Sequence, residues 1–336
     1  MSKLFRKISL LLIIVLVFSI FITACTKKSD KVKIRLIEVT HSLFYTPQYV
    51  AMTQGFFEEE GLEIELINGK GADKVMAALL SGEAEIGFMG PEASVYVYNQ
   101  GRDDYAINFA QLTQRDGSFL VGREKDDDFK WEDLAGKEVL GGRKGGMPFM
   151  TLEYVIKSHG LQIPEDVNVR SDVQFDVLAG AFVAGEGDYV ALFEPVASTL
   201  EKEGKGYVVA SIGEAGGYIP YTAYSATKEY IKKNPEIVQK FTNAILKGMI
   251  WVQNNSTEDI AKAVQPQFPD TDIEVLKILI DRYRDQDSWK PDLIITEDGI
   301  NKLMEIMELA GELDKKADYN AIVTTKFAEE AMKNVK

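Results

Sequence analysis

From Val32 onward the chain alternates short β-rich runs with helical patterns, which confines it to α/β architectures built on parallel strands. Val32–Val39 reads as a first strand, Pro47–Gln54 as a helix stopped by Gly55, and Gly61–Ile67 as a strand of period two. Ala72–Ser81 is expected to be helical and Glu85–Met89 a third strand. Pro91 then opens a helix where a missing amide proton costs nothing, and Tyr105–Leu112 follows as a strand. The series then restarts. Ser118–Arg123 reads as a strand, Trp131–Lys137 as a short turn-helix leading into Glu138–Leu140, and Met147–His159 as an amphipathic helix closed by Gly160. Val167–Arg170, a helix through Ala184, the strand Asp188–Phe193 and a helix over Pro195–Glu203 complete this second unit. Beyond Tyr224 the pattern turns almost wholly helical, with periodic stretches at Tyr230–Gln253, Ile273–Tyr283 and Asp298–Ala310.

The two α/β units echo one another. Residues 78–85 match residues 181–188 in pattern at an offset of 103, both passing through a Gly-Glu turn into a strand. One inserted residue later, Pro91-Glu92-Ala93-Ser94 matches Pro195-Val196-Ala197-Ser198. Two similar lobes are the simplest reading, and 336 residues is about twice an ordinary domain. In each lobe a strand runs inward and a Pro-started helix leaves at its carboxyl edge, where open α/β sheets bind ligands.

The N-terminus reads as an address. Lys3, Arg6 and Lys7 precede a charge-free run of 17 residues from Ile8 to Ala24, a basic region followed by an apolar one. That run reaches about 25 Å as a helix, which is marginal for spanning a bilayer. Ile22-Thr23-Ala24-Cys25 resembles a bacterial lipobox, so residues 1–24 read as a lipoprotein signal peptide and Cys25 as an acylated (palmitate-bearing) mature N-terminus. Residues 25–31 form a polar tether. Formal net charge is −14 for the whole chain and −17 after residue 24, with three basic residues removed, which argues against nucleic-acid binding. A single cysteine excludes a disulfide framework, a Cys-based zinc site and an iron–sulfur cluster.

Thr40–Ala51, then Gly55-Phe56-Phe57-Glu58-Glu59-Glu60-Gly61-Leu62, Leu80–Gly87, Asp133-Leu134-Ala135-Gly136-Lys137 and Glu194-Pro195 together resemble a family of ABC-importer solute-binding proteins. Its members serve nitrate, aliphatic sulfonates, taurine and thiamine-pyrimidine precursors. The resemblance runs from about Val32 to the end. It implies a type II periplasmic-binding-protein fold, α/β, with each lobe a mostly parallel sheet flanked by helices and a helical C-terminal segment. Lobe 1 would be discontinuous, 32–118 and 225–336, and lobe 2 would be 119–224, with crossovers near Ser118–Val121 and Thr222–Ser225. It also implies a monomer that closes on a small-molecule ligand and passes it to permease and ATPase subunits. The protein would be held to the cell membrane on its extracytoplasmic face by the N-terminal lipid, with neither enzymatic activity nor cofactor.

Candidate ligand-binding residues sit at strand ends and the helix starts that follow. Thr40 and His41 offer hydrogen bonds, Phe44 and Tyr45 offer flat faces, and Asn68-Gly69 begin a turn whose amides can approach a ligand. Gly90-Pro91-Glu92 and Phe193-Glu194-Pro195 would bring one carboxylate from each lobe toward the cleft, suiting an amine, a pyrimidine edge or a cation; each Glu can instead cap its helix. Gly141-Gly142-Arg143-Lys144-Gly145-Gly146 pulls toward anions, with Arg143 and the amides around Gly145 and Gly146 at a helix start. Gln111, Thr113, Tyr218 and Tyr221 can also face the cleft, and Trp251 and Trp289 read as packing residues.

A nitrogen-containing heteroaromatic ligand, thiamine-pyrimidine-like, fits this mixture best, with a sulfonate, taurine or nitrate-type anion as the alternative. A pyrimidine-synthesising enzyme of the same fold is a lesser rival, because such enzymes hold iron through a Cys-rich segment and this chain has one Cys. A metal-binding lipoprotein using His41 and His159 is the third, and no metal site is expected. Substitution Cys25→Ala is expected to release the protein from membranes or leave an unprocessed precursor, as read by membrane fractionation and intact mass. A variant processed and membrane-bound like the parent contradicts the lipoprotein reading.

Overall fold

The computed structural model describes residues 31–335, so the signal peptide 1–24, Cys25 and the tether up to residue 30 lie outside the described residues. The ten strands are β1 (Val32–Glu38), β2 (Leu62–Asn68), β3 (Ile86–Met89), β4 (Ala106–Thr113), β5 (Ser118–Gly122), β6 (Glu138–Leu140), β7 (Asn168–Arg170), β8 (Tyr189–Phe193), β9 (Tyr207–Ser211) and β10 (Thr222–Thr227). They form two five-stranded sheets, ordered β2-β1-β3-β10-β4 and β7-β6-β8-β5-β9, each the centre of one lobe. Residues in β3 and β5 are buried throughout, the mark of a strand covered on both faces.

Both sheets are mixed, and the connectivity explains why. β1 runs parallel to β3, and β6 runs parallel to β7 and β8. β3 and β8 end at the junction of the lobes, whereas β5 and β10 begin there, just after the chain has crossed from the other lobe. A strand entering from the junction must run against neighbours that point toward it. β10 accordingly pairs antiparallel with β3 and β4, and β5 antiparallel with β8 and β9.

Helices start and stop where capping chemistry dictates. Ala72–Ser81 ends at Gly82, whose φ of 77° closes the last turn at no steric cost. Thr296 caps the helix Glu297–Leu309 by accepting from the Gly299 amide at 3.2 Å. The single periodic stretch expected over Tyr230–Gln253 is two helices, Lys228–Lys233 and Pro235–Asn254. Pro235 has no amide proton to donate and can only open a helix, so the ladder breaks at Asn234. Thr257–Val264 and Lys326–Asn334 are further helices in this segment. Among the described residues no helix is long and apolar enough to cross a membrane.

The larger core packs the first sheet against the C-terminal helices, with Phe88 stacked on Tyr224 at 4.3 Å and Phe241 edge-on to Tyr224 at 5.1 Å. Two bonds join the crossing segments themselves: the Thr113 and Thr222 hydroxyls lie 2.5 Å apart, and the Thr222 amide donates to Thr113 Oγ1 at 3.0 Å. The end of the helix Ile273–Asp285 braces them from outside. Tyr283 donates to the Gly117 carbonyl at 3.0 Å and accepts from the Glu194 amide at 3.1 Å, while Gln286 donates to the Asp116 carbonyl at 2.7 Å and accepts from the Ser211 hydroxyl at 2.6 Å.

Candidate functional site

A cavity of about 60 Å³ lies between the lobes. The first lobe contributes Thr40, Tyr45, Gly71, Gly90 and Glu92; the second contributes Gly141, Arg143, Gly146, Met147, Phe149, Phe175 and Phe193; Tyr221 and Thr222 come from the returning crossing. Each wall follows from a strand end. β3 stops at Met89, and Gly90-Pro91 turn the chain so that the helix Glu92–Asn99 starts at the cleft. β6 stops at Leu140, and the glycine loop carries the chain to the helix Met147–Ser158 on the opposite wall.

Glu92 dominates this cavity. It is 2% exposed, and Oε2 finds no hydrogen-bond partner among the described residues. Its carboxylate folds back over Gly90, where any side chain would collide with it, since an added Cβ would lie 1.9 Å from Oε2. Burial pushes its pKa up to about 7, against the pull of its own amide, the Arg143 guanidinium and the Met147 and Ala93 amides. Arg143 and Met147 belong to the other lobe, so a first-lobe carboxylate occupies the anion-friendly helix start of the second. Such a group accepts a hydrogen bond from a ligand N–H when ionised and donates one when protonated.

The remaining candidates divide by position. Thr40, Tyr45, Gly90, Arg143, Gly146 and Tyr221 line the cavity with Glu92. His41, Asn68 and Glu194 border a neighbouring interlobe space of about 220 Å³, and Gly145 borders another of about 220 Å³ beyond Arg143. Glu194 is fully buried, but its carboxylate accepts from the Ser198 amide and hydroxyl, both at 2.9 Å, and pairs with Arg282. The expected ligand contact is therefore replaced by a helix cap and ion pair. His41 has both ring nitrogens engaged, Nδ1 with Glu38 at 2.8 Å and Nε2 with the Gln267 carbonyl at 2.9 Å.

Five candidates lie away from the cavity. Phe44 is packed among Tyr45, Phe193, Tyr221 and Tyr283. Gly69 packs tightly against Val75 and the Glu38 carbonyl. Thr113 is committed to Thr222. Gln111 and Tyr218 line a separate space of about 510 Å³ with Trp289, where the Tyr218 hydroxyl donates to Asp287 at 2.7 Å.

Two residues escaped the sequence reading. Phe175 enters from the short turn before the helix Leu178–Val183, a place with no motif to mark it. Glu38, at the end of β1, is fully buried and receives Gln48 Nε2 at 2.7 Å and the Tyr49 hydroxyl at 3.0 Å. An acid directly after the apolar pair Leu36-Ile37 at the end of the strand was the available signal. Among the described residues no group of three or more His, Cys, Asp or Glu side chains is placed to hold a metal ion.

The profile of the family described as NMT1/THI5 like matches residues 44–259. YtlA of Bacillus subtilis (strain 168), named provisionally as a binding protein, is 46% identical over 308 residues, covering 92% of each chain. The 4-amino-5-hydroxymethyl-2-methylpyrimidine phosphate synthase THI13 of Saccharomyces cerevisiae is 26% identical over 223 residues, 62% of this chain and 63% of the synthase. Among solved structures, the alkanesulfonate-binding protein SsuA from Xanthomonas axonopodis pv. citri, bound to MOPS, superposes with a TM-score of 0.71 at 16% identity over 88% of this chain and 99% of its own. At that identity the likeness establishes the fold.

The Glu92 carboxyl has its pKa raised from 4.5 to about 7 in the folded protein, so the native state holds a proton that the unfolded chain releases earlier. Its contribution to stability is fully present below about pH 4.5 and is lost as pH rises through about 7. Glu92→Gln is therefore expected to gain about 2–3 kcal/mol over the parent between pH 5 and pH 8.5 in urea denaturation. A difference between the two proteins that stays constant with pH contradicts the assignment. Asp116, also buried and also raised to about 7, titrates alike in both and cancels.

Proposed function

We propose, since the chain belongs to the NMT1/THI5-like family and has the periplasmic-binding-protein fold, that it is an extracytoplasmic solute-binding lipoprotein of an ABC importer. It captures a small nitrogen-containing heteroaromatic ligand between lobes 32–118 with 225–336 and 119–224, and delivers it to a permease. It performs no chemistry on that ligand and is held to the membrane through Cys25.

The observation that carries this reading is Oε2 of Glu92, without a hydrogen-bond partner among the described residues, in the wall of the interlobe cavity. A buried carboxylate favours a ligand that donates hydrogen bonds or carries positive charge. Tyr45, Phe175, Phe193 and Tyr221 supply flat apolar surface beside it, which suits a ring. The name of the yeast relative, a pyrimidine phosphate synthase, points to the same ligand class.

Binding of a sulfonate, taurine or nitrate-type anion is the second reading. Arg143 and the glycine loop before the helix Met147–Ser158 favour it, as does the alkanesulfonate ligand class in the name of the structural neighbour. Glu92 occupies that same helix start, which tells against it.

A thermal-shift screen of pyrimidines, sulfonates and nitrate separates the two, because a ligand at 100 times its Kd adds about 2.7 kcal/mol. For a nitrogenous hit, Glu92→Gln is expected to remove about 1.5–3 kcal/mol, a roughly 10- to 150-fold loss of affinity by calorimetry. Glu194→Gln, whose carboxylate already serves Ser198 and Arg282, should lower stability more than affinity. Unchanged or tighter binding by Glu92→Gln, together with a large loss in Arg143→Ala, means the anion reading holds instead.

A further inference from the structure

The helix Met147–Ser158 has one end in the cleft and the other well outside it. Met147 lines the cavity and its amide faces the Glu92 carboxylate. Lys157 lies about 15 Å further along the same axis, at 1.5 Å per residue. There it reaches out of its own lobe, and its Nζ donates to the Leu309 carbonyl at 3.0 Å. Leu309 is the last residue of the helix Glu297–Leu309. Its carbonyl is therefore one that a helix leaves without an internal partner, at the end where the dipole favours a cation.

Two more lysines cross the same seam, one in each direction. Lys302, on the helix Glu297–Leu309, donates to the Tyr154 hydroxyl at 2.9 Å and lies 4.4 Å from the centre of that ring. Lys144, in the glycine loop of the second lobe, pairs with Glu312 at 3.3 Å. Beneath these contacts Met147 and Met150 are buried in one apolar cluster with Met304 and Met307, so the seam is a packed joint with a charged rim. None of Lys144, Tyr154, Lys157, Lys302, Leu309 and Glu312 lines the cavity or either of the two neighbouring interlobe spaces.

We propose that this seam is a latch: three lysines bind the helix Met147–Ser158 to the helix Glu297–Leu309 and the turn after it, and so set how long a solute stays enclosed without touching it. The inference rests on the reading of the lobes as parts that open and close, and is independent of the class of solute. A 12-residue helix moves as a rod, so freeing its Lys157 end lets its Met147 end withdraw from Glu92. Each contact is of a kind worth about two- to fivefold in an equilibrium, and all three act on one motion, so together they favour closure by roughly 10- to 100-fold. The chemistry of the cleft then decides what is taken up, and the seam decides how slowly it leaves.

The test uses the lipid-free protein with two probes, 4-amino-5-hydroxymethyl-2-methylpyrimidine and MOPS, reading shape by small-angle X-ray scattering and rates by stopped-flow fluorescence. Combined Lys144→Met, Lys157→Met and Lys302→Met substitutions keep most of each apolar stem and remove each charge. This triple variant is expected to have a larger radius of gyration than the parent without a probe, and to release whichever probe binds roughly 10- to 100-fold faster with association unchanged. Lys144→Glu alone should also release faster, and adding Glu312→Lys should restore the parent rate. Lys316→Met, which removes a pair with Glu308 inside the C-terminal segment, should change nothing. Equal radii and equal release rates, or equal radii where neither probe binds, overturn the latch; if the parent's radius still falls on binding, the closing lobes stand without it. Slower association with unchanged release assigns the lysines to solute capture and overturns the latch as well. A parent that binds a probe at constant radius overturns the moving lobes and the latch together.

Discussion

Thr113 and Thr222 share a hydrogen bond at the point where the chain leaves one sheet and returns to it, and the positions of the two lobes follow from that junction. Because both crossings pass there, the strands entering after them run against their neighbours, and β3 and β8 end facing a common gap. The helices that follow those strands, together with the one after the glycine loop, consequently start at that gap. Tyr283 and Gln286 hold the same junction from outside through carbonyls that secondary structure leaves free. A cleft with opposed helix starts is thus a consequence of chain routing.

Three buried glutamates around the cleft show how local partners decide what such a residue can do. Glu38 is enclosed by Gln48, Tyr49 and His41, so its charge is distributed within the first lobe. Glu194 is capped by Ser198 and neutralised by Arg282, joining the second lobe to the helix Ile273–Asp285. Glu92 alone of the three keeps an oxygen without a partner among the described residues, and it is the one in the wall of the central cavity. Under the proposed function, that incomplete acid is the one a ligand's donor would complete.

Much of this architecture is legible in the sequence, for identifiable reasons. Ala72–Ser81 is bracketed by glycines, and the apolar run Ile86–Met89 sits between a Gly-Glu turn and Gly90-Pro91, so local signals coincide with the observed elements. The internal echo led to expecting equivalent roles for Glu92 and Glu194. Yet Glu92 follows its proline and Glu194 precedes its own, a shift of two positions that puts one carboxylate in the cavity wall and the other over Ser198. Arg282 lies 88 residues from Glu194 in the chain, and no local pattern links them. Phe175 was invisible for the same reason: its place is set by how the lobes meet. The break at Asn234-Pro235 was visible, but the long apolar periodicity on either side masked it.

The central claim is that the lobes close around a solute held between Glu92 and the aromatic walls. Small-angle X-ray scattering of the lipid-free protein, first without ligand and then saturated with the tightest binder from the thermal-shift screen, tests it most directly. The account predicts a smaller radius of gyration at saturation, as the cleft shuts. An unchanged radius with a stoichiometrically bound ligand contradicts it.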